Sequence, residues 1–258
     1  MKKINLFFGS GASKGIWEIA FLKTFTDKYI KTKKIKIDNI YANSAGNWAS
    51  FGLLYEENDL LCEIWKSYDD YENKLYTKSE KILDFPFTWE NSTVSRFYDL
   101  FVDTLIKNKR KPQCNYYSSV FNNSKMKTEW LSLHDKNLDE AKKIMFASSS
   151  MQILYPSIKI NEENYSDAGL LEFFLLKDFL KKHKNEINIV LTISNYSFIF
   201  KQKNTIFFNI PNHIKNKISF MNTNKEVFNE VFTLSEQHGK NKLKEIENFL
   251  EITKFENQ

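Results

Sequence analysis

Two side chains in this 258-residue sequence stand where they could do chemistry: Ser44 in Ala42-Asn43-Ser44-Ala45-Gly46, and Asp167 in Ser166-Asp167-Ala168-Gly169. A serine hydroxyl is a poor nucleophile until a neighbour takes its proton. The sharp strand-to-helix turn that exposes a nucleophilic serine crowds the backbone two residues to either side, so small residues are needed there. Ala42 and Gly46 meet that need, and Asp167 is a candidate base. Both residues also have a plainer use, since serine and aspartate are favoured helix N-caps.

The glycines narrow the choice. There are only 7, and those at 9, 11, 15, 46 and 169 fall in three short segments. Glycine is required where the backbone turns sharply or where another group must approach it closely. The first segment, Gly9-Ser10-Gly11-Ala12-Ser13-Lys14-Gly15, joins an apolar run to a helix start. Such a turn presents backbone N–H groups near the positive end of a helix dipole, which suits a phosphate or the oxyanion of acyl transfer. A tight turn with no ligand fits the same residues.

These segments need a scaffold. Ile4 to Phe8 reads as a buried strand and Ile16 to Lys28 as a helix; Ile35 to Tyr41 reads as a second strand and Asn47 to Tyr55 as a second helix. Strand, turn and helix, twice over, predict a parallel α/β core. Further on, strands are expected at Cys114 to Phe121, Ile158 to Ile160, Ile187 to Ser194 and Thr205 to Ile210. Helices are expected at Leu138 to Ala147, Leu170 to His183 and Glu226 to Ile252, the last with a break at Gly239. Residues 58–112 read as a helical insertion with loops around Pro86 and Pro112, carrying Trp65, Phe85, Phe87, Trp89, Phe97, Tyr98 and Phe101. Those aromatics suit an acyl groove, although core packing is their commoner use.

Together the three segments resemble the patatin-like phospholipase family. Its pattern is Gly-Gly-Gly-x-Lys/Arg-Gly, then Gly-x-Ser-x-Gly, then Asp-Gly-Gly/Ala. Here the matching stretches are Ser10 to Gly15, Ala42 to Gly46 and Asp167 to Gly169, with Ala147-Ser148-Ser149-Ser150 and Tyr155-Pro156 at the place of the family's Ala-Ser-rich helix end and proline turn. The resemblance spans roughly residues 4–180. It implies a single domain over 1–258, a three-layer α/β/α sandwich around a mainly parallel sheet. It also implies hydrolysis of fatty acyl esters of phospholipid or other acyl lipid through an acyl-enzyme, without cofactor or metal. Carried over, Ser44 would be the nucleophile and Asp167 the base of a dyad, Gly11 and Ala12 would supply the oxyanion hole, and Lys14 would hold the loop. Ser10, Gly15, Ala42, Gly46 and Gly169 complete the motifs. Ser10, Ala12 and Ala42 stand where the family has glycine.

Three other readings stay open. Gly11 to Ile16 also looks like the nucleotide turn of a short-chain dehydrogenase, and Tyr155 and Lys159 have its Tyr-x-x-x-Lys spacing. Against it, Trp17 stands where that turn's last glycine packs helix on strand, and Pro156 disfavours a helix through Tyr155. The substitutions of glycine also allow an inactive member of the same fold that binds lipid or a protein. The chain order Ser44, Asp167, His238 would allow a triad, but His238 falls in a helical run rather than a loop.

Composition bounds the rest. Net charge is +5, with 42% hydrophobic and 16% aromatic residues, a globular composition with a basic balance. A solvated lysine-rich surface accounts for that charge, and contact with an anionic membrane is the functional alternative. No nucleic-acid module is recognisable. Cys62 and Cys114 offer neither a disulfide framework nor metal spacing. No apolar run reaches the ~18 residues of a membrane span, and the run after Met1-Lys2-Lys3 is too short for a signal peptide. The expected location is cytoplasmic, peripheral at a membrane, or exported without such a signal.

Overall fold

The computed structural model describes residues 2–66, 93–152, 155–219 and 224–255. Phe85, Pro86, Phe87 and Trp89 lie outside them, as does the side chain of Phe97. The elements are β1 (Lys2–Phe8), α1 (Ile16–Phe25), β2 (Ile35–Ala42), α2 (Ala45–Leu54), α3 (Asn58–Lys66), α4 (Thr93–Lys107), β3 (Asn115–Asn122), β4 (Lys127–Ser132), α5 (Leu138–Ser149), β5 (Ile158–Ile160), β6 (Glu163–Ser166), α6 (Glu172–Lys182), β7 (Asn188–Thr192), β8 (Thr205–Asn209), α7 (Asn212–Lys215) and α8 (Lys225–Phe255).

One sheet runs β5-β6-β3-β2-β1-β7-β8, with β4 paired to β3. The pairs β3–β2, β2–β1, β1–β7 and β7–β8 are parallel; β4 and β6 meet β3 antiparallel, and β5 meets β6 antiparallel. β1 shows why helices cover both faces. Its Ile4, Leu6 and Phe8 enter a core shared with α1, α2 and α8, while Phe7 enters a second core with Leu175, Leu176 and Phe179 of α6. A strand buried on both faces reads as a continuous apolar run, as Ile4 to Phe8 does apart from Asn5. The result is the three-layer α/β/α arrangement around a mainly parallel sheet.

The helix expected to break at Gly239 runs unbroken through it. There α8 crosses α1 so closely that a Cβ on Gly239 would lie 3.2 Å from the Phe21 carbonyl oxygen. That glycine serves helix packing, not termination. The helix expected from Leu170 begins with a 3-10 turn, Gly169–Leu171, before α6. The polar strands β4 and β6 have no counterpart among the sequence expectations. In the aromatic-rich stretch, Tyr98 and Phe101 do not line a groove; both are buried against Phe51, at ring separations of 5.6 and 5.7 Å.

Candidate active site

The sheet brings the three segments together at the carboxyl ends of its central strands, where open α/β sheets bind ligands. Parallel pairing sets Phe8 of β1 beside Ala42 of β2, so the glycine-rich turn and the Ser44 turn leave the sheet side by side. Asn43 N–H donates to the Phe8 carbonyl at 3.0 Å and Gly46 N–H to the Gly9 carbonyl at 3.1 Å. A Cβ on Gly46 would stand 2.7 Å from both the Gly9 oxygen and the Phe8 Cβ, so no other residue fits without displacing backbone. Asp167 arrives from two strands away. β6 pairs with β3 through Ser166 and Phe121, and β3 pairs with β2.

Ser44 has φ 51° and ψ −119°, a left-handed conformation for a residue with a Cβ. Such strain costs about 1–3 kcal/mol and persists only where the surroundings fix it. Here they do. Ser44 N–H and the Asn47 side-chain amide both donate to Ser148 Oγ, at 3.1 and 2.9 Å. Trp48 Nε1–H donates to Ser149 Oγ at 2.7 Å, and Asp167 N–H to the Ser150 carbonyl at 2.9 Å. The Ser148-Ser149-Ser150 stretch thereby ties the Ser44 turn to the Asp167 strand.

Neither polar residue serves as a simple cap. Ser44 makes no side-chain capping bond to α2; its hydroxyl donates to Asp167 Oδ2 at 2.7 Å. Asp167 Oδ1 accepts the Gly169 N–H at 2.6 Å, which fixes the carboxylate plane. Burial pushes the Asp167 carboxyl up to about 6, the bonds from Ser44 and Gly169 offsetting part of that rise. A carboxylate with raised affinity for protons, within hydrogen-bond reach of a hydroxyl, can accept that hydroxyl's proton.

The glycine-rich turn lies against both. Gly11 would meet Ile193 if it carried a Cβ, at 1.7 Å from Cδ1, and Gly15 would meet Ala45, at 3.1 Å from its Cβ. Among the described residues, the backbone N–H groups of Gly11 and Ala12 have no acceptor. Ala12 adopts φ 47°, a glycine-like conformation held by a residue with a side chain. Lys14 makes no side-chain hydrogen bond or ion pair among the described residues; its N–H closes the turn onto the Gly11 carbonyl at 3.0 Å.

The side chain that grips this turn is Glu172, which the sequence reading did not single out. Glu172 Oε2 accepts the Ser10 N–H and, at 2.7 Å, the Ser10 hydroxyl. Burial raises the Glu172 carboxyl above its usual range, the two bonds from Ser10 offsetting part of the rise. Glu18 of α1 is buried nearby, pushed well up by burial and then by the charge of Glu172. The motif serine Ser10 thus gives Glu172 a hydroxyl that a glycine at its place would not.

The rival constellations do not assemble. Tyr155 lies in a bend after α5 and Lys159 in β5, so no helix carries them as a pair. Trp17 is fully buried where a dinucleotide turn requires glycine. His238, half-buried between α8 and α1, accepts a hydrogen bond from Trp17 Nε1 at 3.2 Å, and burial lowers it to about 4. His134 bonds the Tyr116 backbone and His183 pairs with Glu186. Among the described residues no histidine contacts Ser44 or Asp167.

The patatin-like phospholipase pattern matches residues 6–180, which include all three segments. The chain belongs to the patatin-like phospholipase family. Comparison with curated proteins gives no match. Among solved structures, VipD from Legionella pneumophila is similar at a TM-score of 0.38 and 11% identity, over 92% of this chain and 67% of that one.

Proposed function

We propose that this protein is a serine acyl hydrolase that cleaves fatty acyl esters of phospholipid or other acyl lipid. Ser44 Oγ attacks the ester carbonyl as Asp167 takes its proton, giving a tetrahedral oxyanion. The Gly11 and Ala12 N–H groups donate to that oxyanion. Collapse expels the alcohol, which takes the proton back from Asp167, and leaves an acyl-Ser44. Water, deprotonated by Asp167, then attacks the acyl-enzyme, and collapse releases the fatty acid as Ser44 Oγ takes the proton back from Asp167. The observation that carries the reading is the 2.7 Å Ser44–Asp167 bond at a strained strand-to-helix turn. Family membership supports the acyl-lipid chemistry.

A phosphonate probe for activated serines tests the nucleophile. It should label Ser44 in the wild-type chain and leave the Ser44→Ala chain unlabelled, and wild type should turn over acyl esters in a panel where Ser44→Ala does not. Label on another serine, or turnover that survives Ser44→Ala, would overturn the assignment.

The pH profile tests the base. Asp167 must be ionised to accept the serine proton, and its carboxyl titrates near 6. On a soluble ester, kcat/KM should therefore fall about tenfold per pH unit below an inflection near 6. An inflection near 4, the ordinary range of an aspartate, would mean that the desolvated carboxyl beside Ser44 is not the group that governs the rate.

A further inference from the structure

Beside the Asp167 turn the protein exposes large apolar side chains. Leu170 is 100% exposed, Phe198 68%, Phe174 61% and Ile199 49%. Single exposed apolar residues are ordinary, but a cluster needs a partner. These four are borne by two segments locked to each other. Phe173 at the start of α6 packs on Phe200 at 5.1 Å and on Tyr196 at 6.2 Å. The 196–200 turn is closed by the N–H groups of Ile199 and Phe200, both donating to the Tyr196 carbonyl at 3.0 Å. Phe198 and Ile199 thus stand on a turn braced against the start of α6, which carries Phe174, with Leu170 in the 3-10 turn just before it.

The charge around this cluster is predominantly basic, with one exposed carboxylate, Asp178, among the lysines. Phe174, Lys177 and Lys181 follow one exposed stripe of α6, at helical spacings of three and four residues. Lys201 is exposed directly after Phe200. Among the described residues none of these three lysines makes an ion pair. The intervening Asp178 accepts a bond from Trp130 Nε1 at 3.2 Å. Exposed apolar side chains with unpaired lysines on the same segments match the two layers of an anionic lipid surface: acyl boundary inside, negative headgroups outside.

We infer that Leu170, Phe174, Phe198 and Ile199, backed by Lys177, Lys181 and Lys201, form the face by which this protein seats on an anionic lipid surface. The reason for such a face rests on the acyl-hydrolase reading, because Leu170 lies three residues from Asp167, and seating there turns the Ser44 site toward the lipid. Binding itself can be measured without turnover.

The test uses the full chain with Ser44→Ala, so that hydrolysis does not alter the vesicles. Co-sedimentation is measured on phosphatidylcholine vesicles with and without phosphatidylserine, at low and high salt. Binding should require phosphatidylserine and weaken with salt. Phe174→Ser with Phe198→Ser should reduce it at least tenfold. Each lysine changed to Gln at 177, 181 and 201 should reduce it about fivefold. Ile106→Ser with Met126→Ser, apolar exposures elsewhere on the surface, should leave it within twofold. A Phe198→Trp chain should show blue-shifted emission and lose acrylamide quenching on vesicles, a readout that needs no destabilising change. No binding to phosphatidylserine vesicles would overturn the inference, as would binding that ignores the face variants or fails equally in the Ile106/Met126 control. Concentration-dependent self-association that Phe174→Ser abolishes would assign the face to a second copy and overturn it as well. Wild type that binds through this face yet hydrolyses nothing would remove the enzyme and keep the face; turnover without face-dependent binding would do the reverse.

Discussion

Asp167→Asn is expected to remove turnover as completely as Ser44→Ala, by about 10⁴-fold or more, while each of His134, His183, His213 and His238 changed singly to Gln leaves kcat within a few-fold. In a triad the histidine takes the serine proton and the aspartate only orients it. Here the aspartate is in direct contact, with Ser44 Oγ donating to Asp167 Oδ2 at 2.7 Å. Asparagine keeps the shape and can still accept the Gly169 N–H, but it cannot take a proton. His238 is the histidine whose place in the chain would permit a triad, and it is committed to Trp17. A folded His238→Gln chain as inactive as Ser44→Ala would mean that a histidine is the base.

The same variant carries its own folding control. The Asp167 carboxyl titrates near 6 in the folded chain, against about 3.9 when unfolded. A folded pKa above the unfolded one means that the ionised form is disfavoured by folding. The group therefore favours the fold fully below pH about 4, and that contribution is lost as pH rises through 6. At pH 8 the retained charge opposes the fold by about 1–3 kcal/mol, the lower figure allowing for partial exposure. Asp167→Asn should thus be more stable than wild type at pH 8, with the difference closing toward pH 4. Denaturant midpoints at both pH values check this. An inactive variant that is also less stable at pH 8 would point to a damaged fold and not to a lost base.

The site was legible where its backbone is peculiar. A crowded turn admits few residue types, so the scarce glycines pointed to three segments that the sheet then set side by side. Glu172 was not legible, because an acidic residue in the first turn of a helix is ordinary, and nothing local shows that it reaches back to Ser10, 162 positions earlier. Ser148 was legible only as part of a small-residue helix end; its bond to the Ser44 N–H depends on α5 crossing α2. The parallel strands were read within a residue or two because both faces are buried. The strands β4 and β6 escaped since Lys127-Thr128-Glu129-Trp130 and Glu163-Asn164-Tyr165-Ser166 are mostly polar and stand toward one side of the sheet. Gly239 misled for a related reason. A glycine inside a helical pattern is a stop signal by propensity, and only the α1–α8 crossing shows the close approach it serves.

Gly11→Ala is expected to lower kcat by about 10²–10³-fold with little change in KM, the loss associated with removing one oxyanion donor. The reason is space. The added Cβ would lie 1.7 Å from Ile193 Cδ1 and 2.9 Å from Cγ1, well inside contact distance. Either Ile193 swings away or the turn moves, and the turn is the softer of the two where Ile193 is packed against the core. Movement of the turn re-aims the Gly11 and Ala12 N–H groups, which matter only once the carbonyl oxygen has become an oxyanion, so ground-state binding is spared. Ile193 makes the cause separable. Ile193→Ala in the Gly11→Ala background vacates the clash, and kcat should recover at least tenfold, whereas Ile193→Ala alone should change it little. Gly11→Val, with two further methyl groups, should be less rescuable. Steady-state kinetics of the four chains of this double-mutant cycle on one soluble ester, with circular dichroism for folding, decide the matter. Full activity in a folded Gly11→Ala chain, or a loss that Ile193→Ala does not relieve, would mean that the oxyanion is held by donors other than this turn.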